Sequence, residues 1–267
     1  MIKYLWENYN KTSIWLVDHL SDINIKTLIN HVFPYIHEIY VSIDGASKST
    51  YEFVKKDCSF DNVIDNLKAI IEYKQKNRTP FPHIAFRYII LKENIQEMPL
   101  FLDLINSIAK PKEWGGSSSM VEFTGLLSFP EIQSHYIDEI PQKVIKELKK
   151  RKNGIEFKFS RAEEKRNPPI ENCLAWMEPY IMMPGYVLPC CAVLMSNRRP
   201  FLRKYSFGNI FDKDFKKIWR SDYYSEFRKI INDPSKPVPK ICAGWRAYRT
   251  QHRVNKYGIW DIYKNKK

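Results

Sequence analysis

The chain lacks any long apolar run: nowhere in its 267 residues does a continuous hydrophobic stretch approach the roughly 18 residues needed to span a bilayer. No membrane partner is expected from it. Its start, Met1-Ile2-Lys3-Tyr4-Leu5-Trp6, has no basic region, apolar stretch or small-residue cleavage site of a secretory leader, so a cytoplasmic location is the expectation. A phosphate-cradling Walker loop, a nucleophile elbow and a dinucleotide-binding glycine fingerprint are all missing too. Cysteine is scarce and unevenly placed. There are 5, none before Cys58, and Cys173, Cys190, Cys191 and Cys242 all lie beyond residue 170. In a cytosolic chain that pattern favours metal binding over disulfides.

What is present is enough to fold. With 44% hydrophobic and 14% aromatic residues, the chain can bury one large core or two modest ones, which excludes a mostly disordered protein. The net charge of +13 admits nucleic acid, a membrane surface or an anionic substrate as partner. The basic residues are scattered, however, with local runs only at Lys146–Lys152, Arg198–Lys204 and Lys264–Lys267. No nucleic-acid recognition motif accompanies them, so a solvated basic surface is the simpler reading and no specific nucleic-acid partner is expected.

Up to about residue 160 strand and helix patterns alternate. Ile14–Val17, Glu38–Ile43, His83–Leu91, Met120–Phe123 and Ile155–Phe159 read as strands. Between them, Ile25–Phe33, Phe60–Ile71, Met98–Ala109 and Ile137–Lys152 show helical spacing, with Asn94 as N-cap of the third. Such alternation predicts βαβ units and a parallel α/β sheet, curled into an open or partial barrel of about four units rather than a closed eight-unit one. A strand at the edge near Ile14–Val17 would offer unpaired backbone to another chain.

Beyond Ser160 the texture changes. Residues 161–171 read as a charged, proline-containing linker, 172–250 as a small module rich in Cys, Pro and aromatics, and 251–267 as a basic tail. Turning at Pro184-Gly185, the chain would form a hairpin from Tyr180–Met183 and Tyr186–Leu188 that folds Cys190 back towards Cys173, while Pro237-Val238-Pro239 brings Cys242 to the same place. Converging thiolates at such spacing point to an iron–sulfur cluster or to tetrahedral zinc. Cys58 reads instead as a buried small hydrophobe or loop thiol. The six histidines are dispersed and read as surface or satisfied core residues, and Trp176, Trp219 and Trp245 as core of the small module.

Four segments in order carry a resemblance: Cys173-x11-Gly185-x4-Cys190, Ser206-Phe207-Gly208-Asn209-Ile210, Lys217-Ile218-Trp219-Arg220-Ser221, and Pro239-Lys240-Ile241-Cys242. Together they resemble the SPASM domain, the auxiliary-cluster extension of radical S-adenosylmethionine (radical SAM) enzymes that mature peptides or modify proteins. Upstream, Tyr40–Ser47 with Thr50-Tyr51, and Ile90–Pro99, resemble strand-to-loop junctions of the radical SAM barrel. The resemblance implies a partial (β/α) radical SAM-type barrel followed by a small Cys-containing SPASM-like α+β module. It further implies Ser42, Asp44 and Arg87 as residues facing S-adenosylmethionine or substrate.

Departures from the family pattern bound these expectations. The C-x3-C-x2-C motif that holds the family's catalytic cluster is not in the sequence, and neither is its Gly-Gly-Glu-Pro-like segment. Cleavage of S-adenosylmethionine is therefore not expected of this chain alone. After Cys242 the family's closing Cys-x2-Cys is absent, because Cys242-Ala243-Gly244-Trp245 follows. One auxiliary 4Fe-4S cluster remains, with Cys173, Cys190, Cys242 and either Cys191 or an outside group as ligands, and zinc on the same cysteines is the alternative. Adjacent Cys190 and Cys191 point apart on an extended chain, so both can serve one cluster only through a kink. The expected partners are a peptide or protein substrate and an N-terminal chain supplying the missing barrel units.

Overall fold

The computed structural model describes residues 2–8, 13–114, 120–126, 130–151, 153–160, 177–190, 193, 199–242 and 248–261. It divides into two compact units, one of residues 1–127 and 132–166, the other of residues 128–131 and 167–267.

In the first unit, five parallel strands pair in chain order: β1 (Trp15–Asp18), β2 (Glu38–Ser42), β3 (His83–Ile90), β4 (Met120–Gly125) and β5 (Glu156–Ser160). All five expected strands are present. Sequential order with every neighbour parallel requires a crossover of the same hand at each step, which the intervening helices supply. These helices are α2 (Ile25–His31), α3 (Lys48–Val54), α4 (Phe60–Asn77), α5 (Met98–Ile108) and α6 (Gln142–Lys150); a short α1 (Ile2–Asn8) precedes β1. Along α4, Val63, Leu67, Ile70 and Ile71 fall on one face and are buried, as helical spacing requires. Ser47 and Ser59 begin α3 and α4 by accepting from the Thr50 and Asn62 N–H groups. The core joins Ile39, Val41, Phe86, Tyr88, Val121 and Phe123 of the inner strands to Leu67, Phe101, Leu102 and Trp114. At the edge, Trp15 and Val17 of β1 are exposed.

Asn94 does not cap α5. That helix begins from Glu97, and the Asn94 carboxamide is fully buried, accepting from Leu91 N–H at 2.8 Å and donating to the carbonyls of Asp44 at 2.9 Å and Ile89 at 2.8 Å. A buried amide with three backbone partners is worth more here than a solvent-exposed cap.

The second unit holds an antiparallel hairpin of β6 (Tyr180–Met182) and β7 (Tyr186–Leu188), as the turn residues predict. It also holds α7 (Arg199–Tyr205), α8 (Phe215–Trp219), α9 (Asp222–Asn232) and α10 (Tyr248–Tyr257). The single helix expected near Phe215–Ile230 is thus two, because Ser221 accepts from Tyr224 N–H and starts a new helix. The stretch expected as a basic tail is also built in. Strand β9 (Ile259–Trp260) pairs in parallel with β8 (Val238–Pro239), and the Arg253 guanidinium donates to the carbonyls of Lys236 at 2.8 Å and Ile230 at 2.5 Å. A cation on the last carbonyls of α9 answers both its dipole and its orphan acceptors. Basic residues 264–267 lie outside the described residues.

Candidate functional site

The four segments singled out in the second unit meet in one core. Gly185 sits in the β6–β7 turn at φ +90°, where a Cβ would run into Asn209 Oδ1 and the ring of Phe211. Asn209 Nδ2 donates to the Pro184 carbonyl at 2.7 Å, and Ile210 N–H to the Gly185 carbonyl at 2.9 Å. Gly208, at φ +143°, lets Ile218 of α8 pack against the backbone, its side chain 3.3 Å from where a Cβ would stand. Phe207 stacks on Tyr224 at 3.7 Å between centroids. Cys190 is buried in this core, Cys242 packs against it, and Cys242 N–H donates to Pro239 at 2.8 Å. Trp219 packs on the same core. The hairpin, the turn after α7 and the segment after β8 therefore bring Cys190 and Cys242 into one cluster. Cys173, Cys191, Trp176 and Trp245 lie outside the described residues.

Two buried polar atoms of α9 lack partners among the described residues. The Tyr224 hydroxyl and Arg228 Nη1 are buried with no hydrogen-bond acceptor among the described residues. Burial holds the Tyr224 phenol well above its usual range; Arg228 opposes this and the neighbouring Cys190 thiol adds to it. The Arg228 guanidinium lies 4.6 Å from the Trp219 ring centroid and 4.8 Å from that of Tyr224. Orphaned donors in a core ordinarily cost about 1–3 kcal/mol each. A phenol beside a buried cysteine is the kind of donor that the sulfide and thiolate acceptors of an iron–sulfur cluster call for, so Tyr224 fits such a group.

At the C-terminal ends of the first unit's strands, a second network ties loop to loop. Ser42 ends β2 and is the register partner of Arg87 on β3. Arg87 donates to Glu122 on β4 at 3.0 Å and lies over the Tyr40 ring. Asp44 is 2% exposed; its carboxylate accepts from Ile89 N–H at 2.7 Å and pairs with Lys55 at 3.0 Å. Burial raises the Asp44 pKa, against the pull of Lys55 and of the Ile89 hydrogen bond. Ser42 ends β2 and Asp44 follows it, whereas Arg87 lies within β3, three residues before its end; Asp44 and Arg87 already have protein partners.

Sequence reasoning did not single out Glu97. It accepts from Ala46 N–H at 2.7 Å, Ser47 Oγ at 2.7 Å and Thr50 Oγ1 at 2.6 Å, pinning the loop after β2 to the start of α5. Burial pushes its carboxyl up, but the Thr50, Ser47 and Ala46 hydrogen bonds outweigh that and hold it below its ordinary value. Gly45 is required in this loop, because a Cβ would stand 2.6 Å from Tyr51 N. A third group, His19, Asp22 and Cys58, brings ligand-type atoms within 4.8 Å of one another, with Cys58 in the loop between α3 and α4, as a loop thiol. With 35 intervening residues between Asp22 and Cys58, no local spacing could have announced it.

Residues 173–244 match the SPASM family, an iron-sulfur cluster-binding domain, and the match takes in all four C-terminal cysteines. The SPASM match lies in a chain whose sequence holds no C-x3-C-x2-C motif. A particular relative is the tungsten-containing aldehyde ferredoxin oxidoreductase cofactor-modifying protein of Pyrococcus furiosus, 26% identical over 194 residues, or 67% of this chain and 51% of the relative. The chain spans about half the length of that curated relative. Among solved structures, a domain of pyruvate-formate lyase-activating enzyme from Bacteroides vulgatus is similar over 59% of this chain and 88% of its own, at 12% identity and a TM-score of 0.41. BtrN, solved with AdoMet and 2-DOIA, covers 84% of this chain and 88% of its own at 14% identity and a TM-score of 0.30. Likenesses at these TM-scores do not define a shared fold.

No helix among the described residues is long and apolar enough to cross a membrane.

Proposed function

We propose that this chain carries one auxiliary 4Fe-4S cluster on a SPASM domain and serves a radical SAM-type modification of a peptide or protein without itself cleaving S-adenosylmethionine. The observation that carries the reading is that Cys190 and Cys242 share one hydrophobic core with Tyr224, whose hydroxyl has no partner among the described residues and lies near Cys190. Cys173 and Cys191 are the further ligands in this reading. A cluster so held supplies one-electron redox chemistry. The chain's own contribution is to bury Cys190, partly bury Cys242 and exclude water with Phe207, Phe227 and Val187.

The first unit, in this reading, is a partial barrel whose strand ends, with Ser42, Asp44 and Arg87, face the substrate side. Cleavage needs three cysteines that the 267 residues do not hold in the required spacing. They would come from a separately supplied domain, a reading favoured by similarity to a cofactor-modifying protein of which this chain matches 51%.

After anaerobic reconstitution, chemically reduced protein is expected to give the electron paramagnetic resonance signal of a reduced cluster. Incubated with S-adenosylmethionine and reductant, it should form no deoxyadenosine. Deoxyadenosine formed by the chain alone would overturn the non-cleaving assignment. An absent cluster signal with zinc in the protein would overturn the cluster itself.

A further inference from the structure

Apart from both places described, three ligand-type side chains converge past the C-terminal end of β1. His19 directly follows that strand, Asp22 lies in the next turn, and Cys58 sits in the loop between α3 and α4. Each offers a ligand atom, and these atoms lie within 4.8 Å of one another. His19 Nδ1 and Cys58 Sγ are 3.9 Å apart. Tetrahedral zinc, with Zn–N of about 2.0 Å and Zn–S of about 2.3 Å, sets such a pair about 3.6 Å apart. Closing the pair around an ion needs a movement of only a few tenths of an ångström.

The loops that carry the ligands are braced independently of any ion. Ser59 N–H donates to Ser21 Oγ at 2.7 Å, joining the neighbours of Cys58 and Asp22. Asn66 Nδ2 reaches the Leu20 carbonyl at 2.8 Å, and Leu20 N–H donates to Asp18 at 2.6 Å. Leu20 itself is fully buried with φ +60°, a left-handed conformation that is uncommon for a branched residue and that bends the chain so that His19 and Asp22 face one place. Ser21 N–H donates to His19 Nδ1 at 3.2 Å, so that nitrogen is the unprotonated one, and an ion on Nδ1 would replace this hydrogen bond.

A further observation points the same way. Tyr51 is fully buried, and its hydroxyl lies beside the Cys58 thiol. A thiol offers the hydroxyl a poor acceptor, whereas a metal-bound thiolate offers a good one.

We propose that His19, Asp22 and Cys58 bind a divalent transition-metal ion of the zinc class, with the Tyr51 hydroxyl donating to the Cys58 sulfur. One thiolate and one carboxylate balance the charge of a divalent ion, and the imidazole and thiolate select borderline cations over magnesium or calcium. Three protein ligands leave a fourth position for water or an exogenous anion, the arrangement of reactive rather than purely structural zinc. It lies at the carboxyl end of a parallel strand, where α/β sheets place ligands. The site is independent of the SPASM cysteines.

Cobalt(II), a coloured stand-in for zinc, tests this on the full chain with every C-terminal cysteine intact. Wild type is expected to bind about one cobalt more per chain than His19→Ala or Cys58→Ser, at the ion-to-site ratio of a single centre. Tyr51→Phe should keep that ion but weaken its binding about 10–100-fold, the usual effect of losing an outer-shell partner. Cys58→His, which restores a ligand, should keep the ion and lose one thiolate-to-cobalt charge-transfer contribution. This last variant separates loss of a ligand from loss of fold. Equal cobalt counts in wild type, His19→Ala and Cys58→Ser would overturn the site and leave a plain thiol–imidazole hydrogen bond. So would loss of the ion in Cys58→His with its circular dichroism unchanged.

Discussion

The Asn209 side chain fills the space that a Cβ on Gly185 would need, and it holds that turn by donating to the Pro184 carbonyl at 2.7 Å. Glycine at 185 and asparagine at 209 are therefore one structural unit, although 23 residues lie between them. They orient the strand that leads into Cys190. Gly185→Ala is expected to destabilise the second unit by about 2 kcal/mol or more, combining a disfavoured φ with a steric conflict. Urea denaturation followed through the tryptophan emission of the chain would measure it. A midpoint unchanged from wild type would mean the turn tolerates a side chain.

Tyr224→Phe separates cluster support from fold support. Removing a buried hydroxyl that lacks a partner should leave the apoprotein as stable as before, or more stable by about 1 kcal/mol. The reconstituted protein should nonetheless lose iron faster under air and show a lower midpoint potential, because a donor to sulfur has gone. Identical iron retention and potential in both proteins would remove Tyr224 from the site.

Asp44 and Glu97 should affect stability with opposite dependence on pH. Burial raises the Asp44 pKa above its unfolded value of 3.8, so the folded state holds its proton longer. Its contribution is complete below that unfolded value and is lost as pH rises through the higher folded one. Wild type should accordingly lose ground to Asp44→Asn as pH climbs out of the acid range. Thermal melts of both proteins across that range would show a difference growing with pH; a constant difference would contradict the raised pKa.

For Glu97 the hydrogen bonds prevail over burial and lower the folded pKa below the unfolded 4.5. Its contribution is present above that unfolded value and is lost as pH falls through the lower folded one. Glu97→Gln should cost about 1–2 kcal/mol near neutrality, the scale of hydrogen bonds to a partly solvated charge, and less in acid. The same melts read it. Equal cost at both ends would mean that charge plays no part in pinning the loop.

Much of the fold was legible because each strand of the first unit is an apolar run of suitable length between helical patterns, Glu38–Ser42 and His83–Ile90 most plainly. The hairpin before Cys190 was legible from Pro184-Gly185 alone. Asn94 was misread because side-chain capping and burial compete for the same residue, and only tertiary packing shows which prevails. Glu97 and the His19–Cys58 contact were invisible for a different reason. Their partners lie 50 and 39 positions away and meet only because a parallel sheet gathers the ends of its strands. In the second unit, Gly185 of the first segment meets Asn209 of the second, and Gly208 of the second meets Ile218 of the third, contacts that the order of the segments alone could not show.

Iron and acid-labile sulfide per chain, measured after anaerobic reconstitution of wild type and of Cys190→Ala/Cys242→Ala, test the cluster assignment most directly. About four irons and four sulfides in wild type, with almost none in the double variant, are expected of one auxiliary cluster. No iron in either protein, or equal iron in both, would contradict a cluster held by Cys190 and Cys242.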